Sequence, residues 1–79
     1  MRIVIGNLPD DVQEDDIRQA LSVFAPIETI KLFKESGTPT ALIEMEMTRT
    51  DAQTLAKRIH GRIFQGRPLN AWVPRVEWK

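Results

Sequence analysis

Apolar residues in this chain recur with two different periods, and the alternation of these periods restricts the fold more than any other feature. One set of apolar residues has the spacing of a helix, namely Ile17, Ala20, Leu21 and Phe24. This spacing places four apolar side chains on one face of a helix. The stretch TALIEME instead alternates with the two-residue period of a strand. The chain therefore combines amphipathic helices with half-buried strands.

Two helices are predicted. The first is expected to begin near residues 11–14, where carboxylates can accept free backbone N–H groups, and to end before Pro26 after about three turns. The second covers the segment TRTDAQTLAKRIHG, in which Thr50 and Gln53 are spaced as a capping box. Gly61 follows this segment and is placed to end the helix.

Four strands are predicted around these helices. Their segments are RIVIGNLP, IETIKLFK, TALIEME after the turn ESGTP, and GRPLNAWVP, where Pro68 and Pro74 indicate an edge strand. The length of 79 residues favours a single domain over residues 1–79. The order predicts an α+β fold of the ferredoxin-like βαββαβ type, a four-stranded antiparallel sheet with both helices on one face and the other face open.

Composition excludes several classes of function. Eleven basic and eleven acidic residues give a formal net charge of zero, which argues against a partner captured mainly by long-range attraction. The absence of cysteine excludes disulfides and thiolate chemistry, and it favours a reducing, cytoplasmic setting. No apolar run approaches the length of a membrane span, so no membrane association is expected.

The sequence contains no pattern typical of catalysis. His60 is the only histidine, and alone it cannot form a transition-metal site, so we interpret it as a surface or capping residue. Ser22 and Ser36 have no elbow motif or partner base. Isolated glycines in IGNLP and ESGTP do not make a phosphate-binding loop. We therefore expect no enzymatic activity, no metal and no cofactor.

Three segments, in their order and spacing, resemble the RNA recognition motif (RRM) family. IVIGNLP is similar to its first-strand motif, DDVQEDDIRQALSVFAPIETI to its first helix and following turn, and AQTLAKRIHGRIFQGRPLNA to its second helix and the approach to the last strand. The resemblance extends from Arg2 to about Val73. It implies the strand order four, one, three, two, and RNA bases stacked on aromatic side chains of the two central strands.

The chain departs from the family pattern at these aromatic positions. Val4 occupies the position in the first strand, and Thr40 and Leu42 occupy the two positions in the third-strand segment TPTALIEM. Each stacked base contributes about 1–3 kcal/mol to binding. We therefore expect weaker RNA binding than an RRM with all its aromatic residues provides.

Alternation along the strands places a different set of side chains on the open face of the sheet. Phe33 and Trp72, on the two edge strands, are predicted to act as displaced stacking platforms, with Val4 and Leu42 as a nonpolar floor between them. The candidate residues for binding single-stranded RNA are Arg2, Val4, Asn7, Lys31, Phe33, Thr40, Leu42, Asn70 and Trp72, with Lys34 and Arg67 as further cations within reach of phosphates.

Other interpretations of these side chains remain open. Phe33 can instead fold over the edge of the sheet, and Trp72 can lie beneath the C-terminal segment PRVEWK, in which Trp78 is a candidate cover. The same nonpolar patch also fits a protein partner or a homodimer formed through the open face.

A separate peptide-binding mode is indicated by the segment HGRIFQGR. Its Arg62-Ile63-Phe64 triplet resembles the Arg-x-Phe loop with which RRM variants in splicing factors hold a ligand tryptophan against an acidic first helix. The alternative peptide-binding residues are accordingly Glu14, Asp15, Arg62 and Phe64. Packing of Phe64 over the core explains the same residue without any ligand.

Overall fold

A computed structural model describes residues 1–34 and 37–75 of the chain. Its elements are, in order, β1 Arg2–Gly6, α1 Glu14–Leu21, β2 Ile27–Phe33, β3 Thr40–Met45, α2 Arg49–Ile59, β4 Ile63–Phe64, β5 Arg67–Pro68 and β6 Asn70–Trp72. Ser36, in the predicted turn, and Trp78, the candidate cover for Trp72, lie outside the described residues.

Four strands form one antiparallel sheet in the order β2-β3-β1-β6. Val4 at the centre of β1 pairs with Leu42 on one side and with Trp72 on the other. At the outer edge, Phe33 of β2 pairs with Thr40 of β3. The predicted strand order and the ferredoxin-like α+β fold are therefore confirmed.

The two helices pack on one face of this sheet, because the apolar side chains of sheet and helices meet there. Ile3 and Ile5 of β1 are buried in the same cluster as Ile17 of α1 and Leu55 of α2. Val4 lies between Ile3 and Ile5 but does not belong to this cluster, since successive strand residues point to opposite faces. The face that carries Val4 is the open face.

Helix α1 is shorter than the sequence pattern indicates. It follows Gln13, whose backbone N–H donates to Asp16 Oδ2 at 3.1 Å, and it ends at Leu21. Phe24 lies beyond the helix and is 46% exposed, so the prediction that it belongs to the apolar face of this helix is wrong. Pro26 disfavours a helical conformation at the residue before it, and the helix ends before that residue.

Helix α2 covers the predicted segment but has a different N-cap. Thr48 Oγ1 accepts a hydrogen bond from the Asp51 N–H at 3.1 Å, whereas Thr50 already lies within the helix. The predicted capping box of Thr50 and Gln53 is therefore wrong. Gly61 follows the helix with a φ of 85°, a left-handed conformation that glycine adopts without a Cβ penalty, as the sequence predicts.

A small hairpin is formed by β4, in the segment before the predicted last strand, and β5, within the segment GRPLNAWVP predicted as that strand. Two hydrogen bonds attach it to the loop after β1. Asn7 Nδ2 donates to Pro68 O at 2.7 Å, and Arg67 Nη1 donates to Leu8 O at 3.3 Å. The hairpin therefore fixes the end of β1 relative to the residues that lead into β6.

His60 connects α2 to the edge of the sheet. It is the C-cap residue of α2 and is exposed, in agreement with the interpretation of a surface or capping residue. Its Nδ1 accepts a hydrogen bond from the Ala71 N–H of β6 at 3.2 Å. An outward backbone donor of the edge strand thereby gains a partner within the fold.

Candidate nucleic-acid interface

The open face presents its side chains in two rows that cross the four strands. One row contains Phe33, Thr40, Gly6 and Asn70, and the next contains Lys31, Leu42, Val4 and Trp72. Most of the predicted RNA-binding residues therefore share one surface. Arg2 and Asn7 lie just outside these rows, at opposite ends of β1.

The side chain of Trp72 extends from the edge strand over its neighbour β1. Its Cζ3 and Cη2 atoms lie 3.7 and 3.8 Å from the position that a Cβ atom on Gly6 would take. Because Trp72 pairs with Val4, the ring leans along β1 from Val4 toward Gly6. The residue is 48% exposed, so part of its surface is covered and part remains open to solvent.

Val4 is buried, so the expectation that it faces water as part of an exposed floor is wrong. It is only 3% exposed although it lies outside the core on the helix side. Its cross-strand neighbours, Leu42 and Trp72, both have larger side chains, and we attribute its burial to them. Val4 therefore lies beneath the surface of the open face, while Leu42 is half-buried and still accessible.

Phe33 provides a second aromatic ring at the other edge of the sheet. It is 44% exposed and pairs with Thr40. Within the described part of the chain, neither Phe33 nor Trp72 belongs to the helix-side core or to the residues packed against it. Both rings are therefore accessible on the open face of the described structure.

Two of the predicted phosphate-binding cations are hydrogen-bonded to the backbone. Lys34 Nζ donates to Val12 O at 3.0 Å, and Arg67 Nη1 donates to Leu8 O. Both bonds hold the loop between β1 and α1. We therefore assign Lys34 and Arg67 a structural role in this loop, and their expected phosphate contacts stay a prediction that the salt dependence of binding tests.

The cations on the open face itself differ in their surroundings. Arg2 Nε lies 3.3 Å from Glu44 Oε1, its cross-strand partner on β3. Lys31 is exposed beside Leu42. The positive charge available to a phosphate is therefore small, and Lys31 contributes most of it.

Asn7 follows β1 in an unusual backbone conformation, with a φ of 61°. Asparagine is one of the few residues that adopt this left-handed region at moderate cost. Its side-chain amide is bonded to Pro68 O, as described above. A structural role therefore accounts for Asn7, which the sequence pattern placed among the RNA-binding residues.

Gly6 is a residue of this interface that was not predicted from the sequence. Its lack of a side chain leaves the space that the Trp72 ring occupies. The available signal was that Gly6 lies on the open face, two residues along β1 from Val4, which pairs with Trp72. Strand alternation alone does not reveal that relationship.

A groove of about 830 Å³ lies on the helix side, between α1, α2 and the β4-β5 hairpin. We call it the helix groove. Of the alternative peptide-binding residues, Arg62 and Phe64 line it, whereas Glu14 and Asp15 are exposed and do not. Phe64 is half-buried and packs against the core. The structure thus brings together only part of that predicted set.

Other residues that line the helix groove were not predicted from the sequence. Phe24 and Ile63 are 46% and 68% exposed and add apolar surface at its opening. Asp16 is the acidic lining residue, and Arg58 joins Arg62 as the basic ones. The groove is therefore apolar with a rim of slightly positive charge.

Residues 1–34 and 37–75 offer neither a metal site nor a membrane-spanning helix. No three His, Asp or Glu side chains in these residues come together in a group that could hold a metal ion. No helix in the same part of the chain has both the length and the apolar character needed to cross a membrane.

Comparison with known proteins relates most of the chain to one family. A family model for the RNA recognition motif matches residues 3–70, and no curated protein matches the chain. A crystal structure of the RNA-binding protein PG1 is 25% identical with a TM-score of 0.80, over 100% of this chain and 99% of that one.

Two more solved structures share the architecture. The third RRM of Pes4 is 25% identical with a TM-score of 0.84, over 99% of this chain and 95% of that one. The Rna15 RRM with bound RNA (GU) is 20% identical with a TM-score of 0.77, over 95% of this chain and 83% of that one. At that identity the Rna15 structure supports the fold alone.

Proposed function

Because this chain belongs to the RNA recognition motif family, we propose that it binds single-stranded RNA weakly on the open face, with Trp72 and Phe33 as stacking platforms. The family is one of RNA-binding modules and not of enzymes. The observation that carries the proposal is the half-exposed Trp72 ring over Gly6, on the face without helices. A flat ring in this position allows any base to stack.

The remaining side chains of the open face supply weaker contacts. Leu42 adds nonpolar surface between the two rings. Thr40 and Asn70 offer a hydroxyl and an amide, which can both donate and accept hydrogen bonds. Lys31 is placed to contact a phosphate. Such groups tolerate different bases, so low sequence selectivity is expected.

The affinity is limited by the small number of strong contacts. Two stacked bases supply about 2–6 kcal/mol in total, which alone corresponds to dissociation constants no tighter than tens of micromolar. Net charge of zero adds little long-range attraction. Weak binding is therefore part of the proposal.

An NMR titration of the full chain with mixed short single-stranded RNAs tests this function. We expect chemical-shift changes on β1, β2, β3 and β6, and a loss of affinity of about fivefold or more in both Trp72→Leu and Phe33→Leu. Ile63→Ser, on the helix side, is the matched control and is expected to bind normally. Shift changes confined to the helices, or unchanged affinity in both ring variants, would contradict the proposal.

Self-association through the open face must be measured in the same experiment. Sedimentation at the NMR concentration distinguishes RNA-induced shifts from those of a dimer. A dimer that forms through this face would compete with RNA, because both need the surface around Trp72.

A second candidate function is docking of a peptide in the helix groove. It is favoured by the exposure of Phe24 and Ile63 at the groove opening. Arg58 and Arg62 outnumber Asp16 on the lining, so the charge complements an acidic ligand. The expected ligand is a short segment with one large apolar side chain flanked by acidic residues.

A peptide with one tryptophan between glutamates tests this docking, and the same peptide with lysines in place of the glutamates is its control. We expect the acidic peptide to shift the resonances of Phe24 and Ile63, and Ile63→Ser to reduce its affinity. Phe33→Leu, on the open face, is expected to have no effect. Equal binding of both peptides, or binding that ignores Ile63→Ser, would rule out this mode.

A further inference from the structure

We propose that His60 is a positioning residue for RNA binding. Through its hydrogen bond to Ala71 it holds the strand that carries Trp72, so that RNA binding weakens when the imidazole is protonated. This inference rests on the proposed function. It adds a residue outside the open face, at the end of α2, and a dependence of binding on pH.

The strand that carries Trp72 is short and lies at an edge of the sheet. Strand β6 has three residues, Asn70–Trp72, and it is the last strand in the order, next to β1. Its register pairs Trp72 with Val4 and Ala71 with Ile5. Residues of an antiparallel strand alternate between those that bond to the partner strand and those whose N–H and C=O groups point away from it. The outer side of β6 therefore needs partners from outside the sheet.

Residues at and just after the C-terminus of α2 supply these partners. The Gly61 N–H donates to Leu69 O at 2.7 Å, and the Leu69 N–H donates to Arg62 O at 2.8 Å. Two residues further along, the Ala71 N–H donates to His60 Nδ1 at 3.2 Å. The imidazole therefore continues the outer pairing as far as the residue that precedes the tryptophan.

Of these three hydrogen bonds, the one to the imidazole depends on a titratable acceptor. The two bonds of Leu69 use backbone carbonyls, whereas histidine side chains change their charge between about pH 5 and pH 8. A protonated imidazole donates through both nitrogens and has no acceptor. Protonation of His60 therefore breaks the bond to Ala71 and leaves the bonds of Leu69 in place.

The surroundings of His60 do not compensate for this loss. His60 and Trp72 both line a pocket of about 550 Å³ between α2 and β6, and Lys57 is the charged residue beside them. None of the described residues in its lining carries a carboxylate. The neighbouring cations of the sequence, Arg58 and Arg62, line the helix groove instead. The protonated ring therefore meets a like charge on α2 and no counterion in this pocket.

Loss of the bond frees the strand next to the stacking platform. Ala71 packs in the core, so β6 stays attached from the inside while its outer N–H turns to water. We expect Trp72 to leave its position over Gly6 in a fraction of the molecules, which lowers the apparent affinity by that fraction. The added positive charge acts in the opposite direction, since it attracts phosphates. The sign of the pH effect therefore separates positioning from charge.

A comparison of RNA binding at two pH values tests the inference. A short oligouridine, whose bases do not ionise in this range, is titrated by NMR into the full chain at about pH 7.2 and at about pH 5.5. We expect the dissociation constant to be about threefold higher or more at the lower pH, and the amide resonance of Ala71 to shift. A dissociation constant that is unchanged or lower at the lower pH overturns the inference.

His60→Asn is the matched control, because its Oδ1 atom is as many bonds from the backbone as Nδ1 of histidine and accepts without titrating. It is expected to bind within about twofold of the unsubstituted chain at the higher pH and to show no pH effect. His60→Ala lacks the acceptor and is expected to bind about threefold more weakly or worse at both pH values. An equal pH effect in His60→Asn and in the unsubstituted chain would assign it to another group and overturn the inference, whether or not His60→Ala folds.

Two ring variants show through which residue His60 acts. In Trp72→Leu the pH effect is expected to disappear, because the ring that it positions is gone. In Phe33→Leu, at the opposite edge of the sheet, the pH effect is expected to persist. Equal pH effects in both variants would mean that His60 does not act through Trp72, and the positioning role would be wrong.

The outcomes also separate this inference from the proposed function. If the oligouridine shifts no resonance of the open face at either pH, RNA binding at this face is wrong and the inference falls with it. If the oligouridine binds at the higher pH and Trp72→Leu weakens that binding, but acidification has no effect, only the role of His60 is overturned.

Discussion

The six-membered ring of Trp72 lies over Gly6 on the neighbouring strand, 3.7 Å from the position of an added Cβ atom. This distance is an ordinary van der Waals contact for one carbon atom, but it leaves no space for a branched side chain beyond it. Gly6 therefore determines where the ring can rest. The aromatic surface above β1 depends on a side chain from β6 and on the lack of one at Gly6.

Substitution of Gly6 tests this dependence. In Gly6→Val the two methyl groups enter the space of the Trp72 ring, so we expect the ring to move and the dissociation constant for RNA to rise by about fivefold or more. Valine is favourable in strands, and the fold is expected to persist. Titration of RNA and a spectrum of the folded protein measure the two effects.

Gly6→Ala is the matched control for that variant. Its single Cβ atom meets the ring at ordinary contact distance, so the RNA affinity is expected to stay within about twofold of the unsubstituted chain. Equal loss in both variants, or no loss with valine, would show that the ring position does not depend on Gly6.

The salt dependence of RNA binding is expected to be shallow. With Arg2 beside Glu44, and Lys34 and Arg67 bonded to backbone carbonyls, one or two phosphate contacts remain. Each contact to a single strand contributes roughly −0.7 to the slope of log affinity against log salt, so a slope between about −0.7 and −1.4 is predicted. Dissociation constants over a series of salt concentrations give this slope.

Two lysine variants separate the structural cation from the RNA-binding one. Lys31→Ala is expected to reduce the slope by roughly 0.7. Lys34→Ala removes the hydrogen bond to Val12 O and is expected to lower stability while the slope is unchanged. A slope of about −3 or steeper would require phosphate contacts that the proposal does not include.

Asn7 is predicted to act on stability and not on RNA. Asn7→Ala removes the bond to Pro68 O and leaves a less tolerant residue at a φ of 61°, so we expect a loss of about 2 kcal/mol in the free energy of unfolding. Asn7→Gly removes the bond but relieves the backbone, and is expected to lose about 1 kcal/mol. Urea unfolding measures both. Weaker RNA binding with unchanged stability would identify Asn7 as an RNA contact instead.

The N-cap of α2 gives a prediction about stability alone. Thr48→Ala removes the acceptor for the Asp51 N–H and is expected to cost about 1 kcal/mol. Thr48→Ser keeps a hydroxyl and is expected to be near neutral. Thr50→Ala, at the position that the sequence pattern favoured, is expected to change stability by about 0.5 kcal/mol or less. Urea unfolding of the three variants decides which threonine is the cap.

The fold could be predicted from the sequence because the spacing of the apolar residues matches the side chains that are buried in the structure. Ile3 and Ile5 enter the core, as strand alternation predicts, and Ile17 and Leu21 meet them from α1. The strand order followed from the family resemblance, since periodicity alone does not order strands. The helix ends were less certain because Thr48-x-x-Asp51 and Thr50-x-x-Gln53 both have capping spacing.

The site was predicted less completely, because strand alternation assigns a face but not the direction of a side chain within that face. It placed Val4 and Trp72 correctly on the open face. It did not show that the larger neighbours of Val4 would shield it, or that the Trp72 ring would lie over Gly6. Those features depend on the sizes of residues in adjacent strands, which lie far apart in the sequence.

The pairing of Val4 with Trp72 on the neighbouring strand affects how the stacking capacity of such a sheet is judged from a sequence. Positions 4 and 72 serve the same small area of the sheet, so under the proposed function the ring of Trp72 supplies the surface that Val4 lacks. Judging a domain of this kind by its two central motifs alone would undercount its capacity for stacking.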